Sequence, residues 1–485
     1  MALDGIREEL YEGFVQAYRT LVPEQKDRIP MSPEAAAFAL ITALPILFMA
    51  YLARRPDTYL IRLLLLPLTI MGLVSSAYRY YCVTPILNVY NWAVSLHAAV
   101  AIAKALQYAL TPEGILKRDE IAPGVKAPPP KLNGKANGKA PHQNGDAHGP
   151  DEAEKHNAAA DAGPGGDDSE ELPPPNVPSG PSWAPAWLHD AVELLITMRG
   201  LKYKFGHGVH IPHETRPLER GPFLRATLRL FIIKFLIVDF LETCIKLFPG
   251  VGSPFGGSMI YPELPTAQRL LVALAIHAMT GTAIVIGFEM VYYLITLIAV
   301  GLLHSDPIYW PPVLDGPHRA ESMHQLWSTS WHQMLRNTFV TYGGIPGLVL
   351  GREIGRLVGG EKGAKVVGNS LAVVGTFLAS GLFHEVSMSA MGRGWDNAPI
   401  IFFAMQAPIL FLERAWRVVT GKRVGGWPGR LWVYFVMFVL AQPMVNSWHR
   451  RGLGGGLVIP YFVSPTKIAF HFLGIRGFDF SRTTP

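Results

Sequence analysis

"VVGNSLAVVGTFLASGLFHEVSMSA", residues 366–390, is one of the apolar runs that decide the fold of this chain. It reaches the roughly 20 residues that an α-helix needs to cross a hydrocarbon layer of about 30 Å. It nevertheless contains His384 and Glu385 side by side. An ionised carboxylate at the centre of a membrane helix costs about 2.5–3.5 kcal/mol, and such groups generally face cavities and mark functional paths. The pair therefore requires a structural or chemical explanation.

The composition of the whole chain also indicates a membrane protein. Of its 485 residues, 49% are hydrophobic and only 16% are charged, and the mean hydropathy is +0.22. A soluble globular chain carries about 25% charged residues. With residues 366–390, the sequence predicts an all-α polytopic membrane protein with about nine transmembrane helices. The other apolar runs lie near 33–53, 58–77, 85–108, 224–246, 267–303, 398–419, 430–447 and 455–474.

A long stretch without aromatic residues interrupts these runs. From Lys117 to Ser182 there is no Phe, Trp or Tyr, and Pro, Gly, Ala, Asn and charged residues predominate. Such a composition cannot bury enough apolar surface to offset the entropy of ordering the chain. The sequence therefore predicts three parts, namely an N-terminal membrane region with three spans at 1–111, a disordered cytosolic loop at 112–182 and a second membrane domain at 183–485.

The distribution of basic residues predicts the orientation of the spans. The loop 247–268 contains no Lys or Arg, whereas Arg216, Arg220 and Arg225 precede the span at 224–246. The positive-inside rule then places 247–268 in the lumen and the loop before that span in the cytosol. With 267–303 as one long helix, the N-terminus is lumenal and the C-terminus cytosolic. The turn of Arg54 and Arg55 is then cytosolic, and so is the turn that carries Arg417, Lys422, Arg423 and Arg430. The Gly-rich segment 337–360 can span, re-enter or lie in the interface.

Charge, cysteine and histidine usage exclude several classes of function. The net charge of +6 is spread along the membrane flanks, so there is no basic patch for nucleic acid. Cys82 and Cys244 lie in or beside apolar runs and do not form a disulfide framework or a zinc site. The stretch "HGVHIPHE" (207–214) places His at every third position. A di-iron site needs many more such ligands, so the sequence predicts no metal.

Three stretches carry polar groups that a lipid-facing helix does not need. They are "TMRGLKYKFG" (197–206), "HQLWSTSWHQMLRN" (324–337) and "SGLFHE" (380–385). On a helix, Ser380 shares the face of His384, and small residues there either allow close helix packing or leave room for a substrate.

The second of these stretches is read as a helix with one aromatic face. Trp327 and Trp331 then form an apolar stripe, while His324, Ser328 and His332 align at four-residue spacing. A Trp-rich helix of this kind is typical of the membrane interface. The same polar groups could equally bind a substrate, so both interpretations stay open at this point.

These stretches together resemble the wax-synthase-like acyltransferases, which are relatives of the membrane-bound O-acyltransferases. The resemblance is carried by "SGLFHE", by W-x-x-x-W-H about fifty residues earlier, and by "MRG" after the third span. It covers roughly 190–460 and is closest to the fungal branch, whose members often acetylate terpenoid or meroterpenoid alcohols. It implies a helical bundle with a substrate tunnel in the endoplasmic reticulum membrane.

The resemblance also implies roles for individual residues. It assigns His384 as the catalytic base and His332 as a second polar residue, where many members have Asn. A neutral imidazole can accept the proton of an alcohol near neutral pH. The implied co-substrate is acyl-CoA, with acetyl-CoA in this branch, and no cofactor is bound. Supporting or substrate-binding residues would be Glu385, Ser380, Trp327, Trp331, Gln333, Arg336 and Arg199.

Three other functions remain alternatives at this stage. The first is a wax ester synthase that uses a long-chain fatty alcohol. The second is a proton-coupled carrier with His384 and Glu385 as a proton relay, although the chain shows no inverted repeat. The third is a metal-dependent membrane oxidase.

Overall fold

The computed structural model of this protein describes residues 2–126 and 185–477 as a helical bundle. Seven helical segments in these ranges are long and apolar enough to cross a membrane. The polytopic all-helical fold predicted from the sequence is therefore confirmed. The helices are α1 Ala2–Leu21, α2 Pro33–Ala43, α3 Pro45–Ala53, α4 Tyr59–Tyr78, α5 Asn88–Leu110, α6 Ala186–Ile196, α7 Arg220–Ile245, α8 Thr266–Gly301, α9 Met323–Gln325, α10 Arg336–Phe339, α11 Ile345–Ser389, α12 Ala398–Ala404, α13 Gln406–Thr420, α14 Gly426–Phe435, α15 Gln442–Arg450 and α16 Pro465–Phe472.

Helix α7 has the length of a span but more charge than its apolar neighbours. It is 26 residues long and packs along α8. Some of its charges are neutralised inside the bundle, because Lys234 pairs with Glu289 of α8 at 2.6 Å. At its far end, Glu242 pairs with Lys467 at 3.1 Å. Ion pairs of this kind allow a charged helix to lie among apolar ones.

The segment 337–360 forms the first arm of a helical hairpin. Within α11, Gly359 and Gly360 leave the helical conformation, and Gly360 has a φ of 59° that glycine adopts without strain. The two arms then run antiparallel and very close. A Cβ atom on Gly351 would lie 2.7 Å from the carbonyl oxygen of Val367. The glycines therefore allow close helix packing rather than marking an irregular loop.

Between Glu321 and Gly360 the chain enters the bundle and turns back. Before it, Glu321 pairs with Arg430 at the end of the bundle that the sequence predicts to be cytosolic. Phe339 then lies against Phe383, with ring centroids 5.3 Å apart, deep along the second arm. The turn at Gly360 returns the chain to the end from which it came.

The opposite end of the bundle, predicted to be lumenal, is closed by backbone contacts. The Asn88 side chain donates to the carbonyls of Pro254 at 3.1 Å and Gly452 at 3.0 Å. Arg28 donates to the carbonyl of Ala390 at 2.9 Å. The start of α5, the 247–265 loop and the end of α15 therefore meet at one end.

The predicted span at 455–474 is wrong. The segment contains only a short helix, α16, because Pro460 and Pro465 interrupt it. The backbone N–H of Thr466 donates to Asp239 at 2.8 Å, which fastens α16 to the end of α7. The described C-terminal residues therefore lie at the predicted lumenal end, and the predicted cytosolic C-terminus is wrong for this part of the chain.

At the predicted cytosolic end, a buried charge cluster joins the two membrane regions. Arg54 donates to Glu120 at 2.6 Å and to Asp190 at 2.9 Å, and Lys117 pairs with Asp190 at 2.8 Å. Burial alone would raise the pKa of Asp190, but Lys117 and Arg54 hold it below its ordinary value. Residues 112–126, predicted as part of the disordered loop, are therefore folded.

Local composition could not predict this folded stretch because its partners are distant in sequence. It contains two short antiparallel strands, β3 Glu120–Ala122 and β4 Val125–Lys126. A parallel pair, β1 Ile29–Pro30 with β2 Tyr80–Tyr81, lies earlier in the chain. The rest of the predicted loop, 127–184, lies outside the described residues.

Candidate active site

The tryptophan-rich stretch, residues 324–337, begins beside a buried carboxylate. Ser322 caps the helix start by accepting from the backbone N–H of Gln325. Glu413 of α13 accepts from the backbone N–H groups of Met323 at 2.7 Å and His324 at 2.9 Å. A carboxylate at a helix N-terminus satisfies N–H groups that have no partner within the helix. Glu413 therefore fixes where the stretch begins.

The stretch then forms one wide turn instead of a continuous helix. Leu326–Ser330 form a π-turn, which closes when the N–H of Trp331 donates to the carbonyl of Leu326 at 2.7 Å. The backbone of Trp331 is extended. The predicted alignment of His324 with His332 on one helical face is therefore wrong. Gln333 donates to the carbonyl of Trp327 at 3.1 Å and so stabilises the turn.

His384 lies on the second arm of the α11 hairpin with one ring nitrogen already engaged. Its Nδ1 lies 2.7 Å from the carbonyl oxygen of Ser380. A carbonyl only accepts, so Nδ1 carries the proton and Nε2 keeps its lone pair. The ring stacks on Phe403, with centroids 4.5 Å apart and an interplanar angle of 20°. This arrangement fixes the tautomer and the ring plane of a potential general base.

An aromatic wall connects the tryptophan-rich stretch to His384. The ring of Trp327 lies 6.2 Å from Phe403, which in turn stacks on His384. The indole N–H of Trp327 donates to Gln406 at 3.1 Å, which fixes the ring. Trp331 packs edge-on against Trp327 at 6.1 Å. The predicted site residues Trp327 and His384 therefore both contact Phe403, and Trp331 packs on Trp327.

His332 lies in the same region. It is only 8% exposed, and its ring lies tilted against Phe288 of α8 with centroids 4.4 Å apart. Its ring also lies 5.2 Å from Trp331, so it adjoins the aromatic wall that reaches His384. Its Nδ1 has no hydrogen-bond partner among the described residues. A buried polar atom without a partner is costly unless a ligand or water satisfies it.

Glu385 points away from this site and has a structural partner. It is fully buried and accepts from Arg451 of the segment after α15, at 2.7 Å and 3.2 Å through its two carboxylate oxygens. Arg451 also pairs with Asp396 at 3.1 Å. A bidentate, buried guanidinium–carboxylate pair has strong directional preference. The Glu385–Arg451 pair therefore joins α11 to the segment that follows α15.

Arg199 also has a structural position. Its guanidinium is buried and donates to the carbonyls of Pro311 at 2.6 Å and Pro312 at 2.8 Å, and to the Tyr292 hydroxyl at 2.6 Å. These carbonyls belong to the loop that leads into the tryptophan-rich stretch. The structure therefore does not bring Arg199 together with the two histidines.

Arg336 is an exposed residue whose guanidinium has no partner among the described residues, unlike that of Arg199. It follows His332 by four positions, where the chain enters α10. The next residue, Asn337, donates to Gln107 near the cytosolic end of α5 at 2.8 Å. A free guanidinium on this side of the histidines is suited to an anionic or carbonyl group.

Several residues of the site were not predicted from the sequence. Phe403, Phe288 and Gln406 had no local signal, because single aromatic or amide residues in apolar runs are common. Glu413 did have one, since a carboxylate inside an apolar run is expensive without a partner. Among the described ranges, no three His, Cys, Asp or Glu residues are arranged to hold a metal ion.

Fold and site together define a helical polytopic membrane protein with a histidine-centred site inside the bundle. Residues 310–405 match the model of the membrane bound O-acyl transferase family. Both His332 and His384 lie within this matched segment. The predicted resemblance to fungal membrane-bound O-acyltransferases is therefore confirmed.

Curated fungal proteins are similar to a larger part of the chain. An O-mevalon transferase of Aspergillus niger is 26% identical over 266 residues, which cover 51% of this chain and 58% of the relative. An acetyltransferase of Hericium erinaceus is 24% identical over 264 residues, covering 52% and 64%. An acetyltransferase of Aspergillus terreus is 27% identical over 165 residues, covering 30% and 51%. The chain thus matches between half and two thirds of the length of these relatives.

Proposed function

We propose that this protein is an acyl-CoA-dependent O-acyltransferase that esterifies a hydroxyl group of a hydrophobic alcohol. The observation that carries the proposal is the geometry of His384, whose Nδ1 is engaged by Ser380 while Nε2 is left to accept a proton. The site lies inside a membrane bundle, which suits an apolar acceptor. The family match at 310–405 and the names of the relatives support the same reaction class.

In the proposed reaction, the alcohol donates a hydrogen bond to Nε2 of His384. As the oxygen attacks the thioester carbonyl carbon, its proton moves to Nε2 and the carbonyl oxygen becomes negative. The intermediate then collapses, the carbon–sulfur bond breaks, and the CoA thiolate takes the proton back from the imidazolium. Positioned general-base catalysis of this kind contributes about 10²–10⁴-fold.

His332 supports the reaction without accepting the proton. An imidazole N–H donor placed near the thioester can stabilise the negative oxygen as it develops. Its burial against Phe288 and its contact with the aromatic wall that reaches His384 support this role. Arg336 is proposed to contact the hydrophilic part of the donor, because its guanidinium is not engaged by an acidic residue among the described residues.

The donor is proposed to be acetyl-CoA and the acceptor a terpenoid or meroterpenoid alcohol of secondary metabolism. Acetyltransferases from several fungi are among the relatives, which supports a short acyl group. A long-chain fatty alcohol remains the alternative acceptor. The proposed location is the endoplasmic reticulum membrane, where an apolar alcohol arrives from the bilayer and CoA from the cytosol.

The test is an acyl-transfer assay with membranes that contain the protein. Labelled acetyl-CoA and palmitoyl-CoA are each offered with hydroxylated terpenoids and with long-chain alcohols, and labelled esters are separated by chromatography. We expect ester formation from acetyl-CoA and a terpenoid alcohol that is absent from membranes without the protein. Ester formation only from palmitoyl-CoA and fatty alcohols would instead establish a wax ester synthase. No labelled ester in any combination would contradict the proposal.

A further inference from the structure

The predicted cytosolic half of α7 carries a groove that combines charge with an apolar floor. It has a volume of about 330 Å³ and opens to the outside of the bundle. It is lined by Arg225, Leu228, Arg229, Ile232 and Ile233. The three apolar side chains are between 41% and 47% exposed. The groove therefore lies at the boundary between apolar surface and polar headgroups.

The two arginines of this groove lack acidic partners. Arg225 and Arg229 are exposed, and neither pairs with any described residue. Nearby cations on this side of the bundle are engaged by protein oxygens. Arg220 donates to the carbonyl of Gly301 at 2.8 Å, and Lys234 pairs with Glu289.

Because the two arginines lie four positions apart, their lack of acidic partners has an energetic consequence. Residues four positions apart are neighbours on a helix, and like charges so placed destabilise it by about 0.2–0.5 kcal/mol. An anion between the two guanidinium groups removes the repulsion. Guanidinium groups bind phosphate through paired N–H donors.

We propose that this groove binds one anionic phospholipid. Its phosphate lies between Arg225 and Arg229, and one acyl chain lies along Leu228, Ile232 and Ile233. A free phosphate would satisfy the two charges but would leave the apolar floor uncovered. The cytosolic leaflet is anionic, which agrees with the predicted orientation of α7. This site is separate from the histidine site and does not depend on the acyltransferase activity.

The test measures lipid binding by the purified full-length protein in detergent. Phosphatidylserine or phosphatidylcholine is titrated in mixed micelles, and Tm and native mass spectra report bound lipid. We expect phosphatidylserine to raise Tm and remain bound, and phosphatidylcholine to do neither. A basic residue near the surface contributes about fivefold to the affinity for anionic lipid. The Arg225→Gln/Arg229→Gln variant should therefore bind phosphatidylserine roughly 25-fold more weakly.

The matched control is Arg417→Gln/Lys422→Gln, which removes two exposed charges from the same predicted face. It should bind phosphatidylserine as the parent does. Equal affinity in the parent and the Arg225→Gln/Arg229→Gln variant would overturn the proposal. So would equal protection by inorganic phosphate, which would indicate an anion site without lipid specificity. If the double variant does not fold, the single Arg229→Gln variant should show a fivefold loss, and an unchanged affinity would again overturn the proposal.

Discussion

Replacing His384 by Gln tests whether its imidazole has a catalytic or a structural role. Gln is similar in size and can donate a hydrogen bond to the Ser380 carbonyl, but it cannot accept a proton near neutral pH. The bond from Nδ1 to Ser380 is 2.7 Å long, and such a bond contributes about 0.5–1.5 kcal/mol. The stack on Phe403, at 4.5 Å, contributes a similar amount. The structural loss therefore stays below about 3 kcal/mol.

The catalytic loss should be larger and should appear in the rate. Removal of a general base costs about 10²–10⁴-fold, which corresponds to about 2.7–5.4 kcal/mol in the barrier. We expect His384→Gln to insert and fold, with a modest fall in Tm, and to lose at least about a hundredfold in acyl transfer. The assay measures initial rates for equal amounts of folded protein, with Tm recorded in parallel.

The chain provides a matched control for this substitution. Nδ1 of His97 lies 2.7 Å from the carbonyl of Ala93, the same four-residue bond that His384 makes, but this histidine is exposed on α5. His97→Gln should leave transfer near the parental rate. A His384→Gln protein with near-parental turnover would refute the reasoning. A fall in rate fully explained by unfolded protein would also refute it, because the residue would then be structural.

Further substitutions test the neighbouring parts of the structure. His332→Asn should retain measurable transfer and His332→Ala much less, and equal total loss in both would make His332 the proton acceptor. Arg451→Met leaves the buried Glu385 without its partner, so it should lower the free energy of unfolding by about 3–5 kcal/mol. Arg356→Met, at an exposed pair, should lower it by less than about 1 kcal/mol. Similar losses in both variants would contradict the stabilising role of the buried pair. Shortening 130–180 to a dozen Gly and Ser residues should leave activity within a few-fold, and complete loss in inserted protein would argue against a dispensable loop. In sealed microsomes, protease should cut within this loop and spare 247–268, and the reverse pattern would invert the topology.

The sequence was most informative at polar and charged residues that lie within apolar runs. His384 and Glu385 were found because charged and polar groups are expensive in an apolar run. The apolar runs predicted most helices for the same reason, since length and hydropathy are local properties. Glu413 carried an equally strong local signal, and it was overlooked because no motif accompanied it.

The contacts that the sequence did not predict join residues that are far apart in the chain. Arg451 lies 66 residues after Glu385, and the charge cluster of Arg54 joins residues on both sides of 127–184. The apolar run at 455–474 was predicted as a span although its prolines prevent a long helix. The wide turn before Trp331 was predicted as a regular helix because tryptophan spacing alone does not distinguish the two.

The glycine-lined hairpin has a consequence for how the protein is made. Its two arms are consecutive in sequence and pack along their length, so they can associate as soon as both leave the ribosome, before distant helices are available. The first arm carries Arg352, Glu353 and Arg356 among its apolar residues, so it has no stable transmembrane position without the second. We therefore expect the two arms to enter the membrane as one unit. A nascent chain stopped shortly after Gly360 should remain accessible to cytosolic protease, whereas one extended beyond Ala390 should be protected.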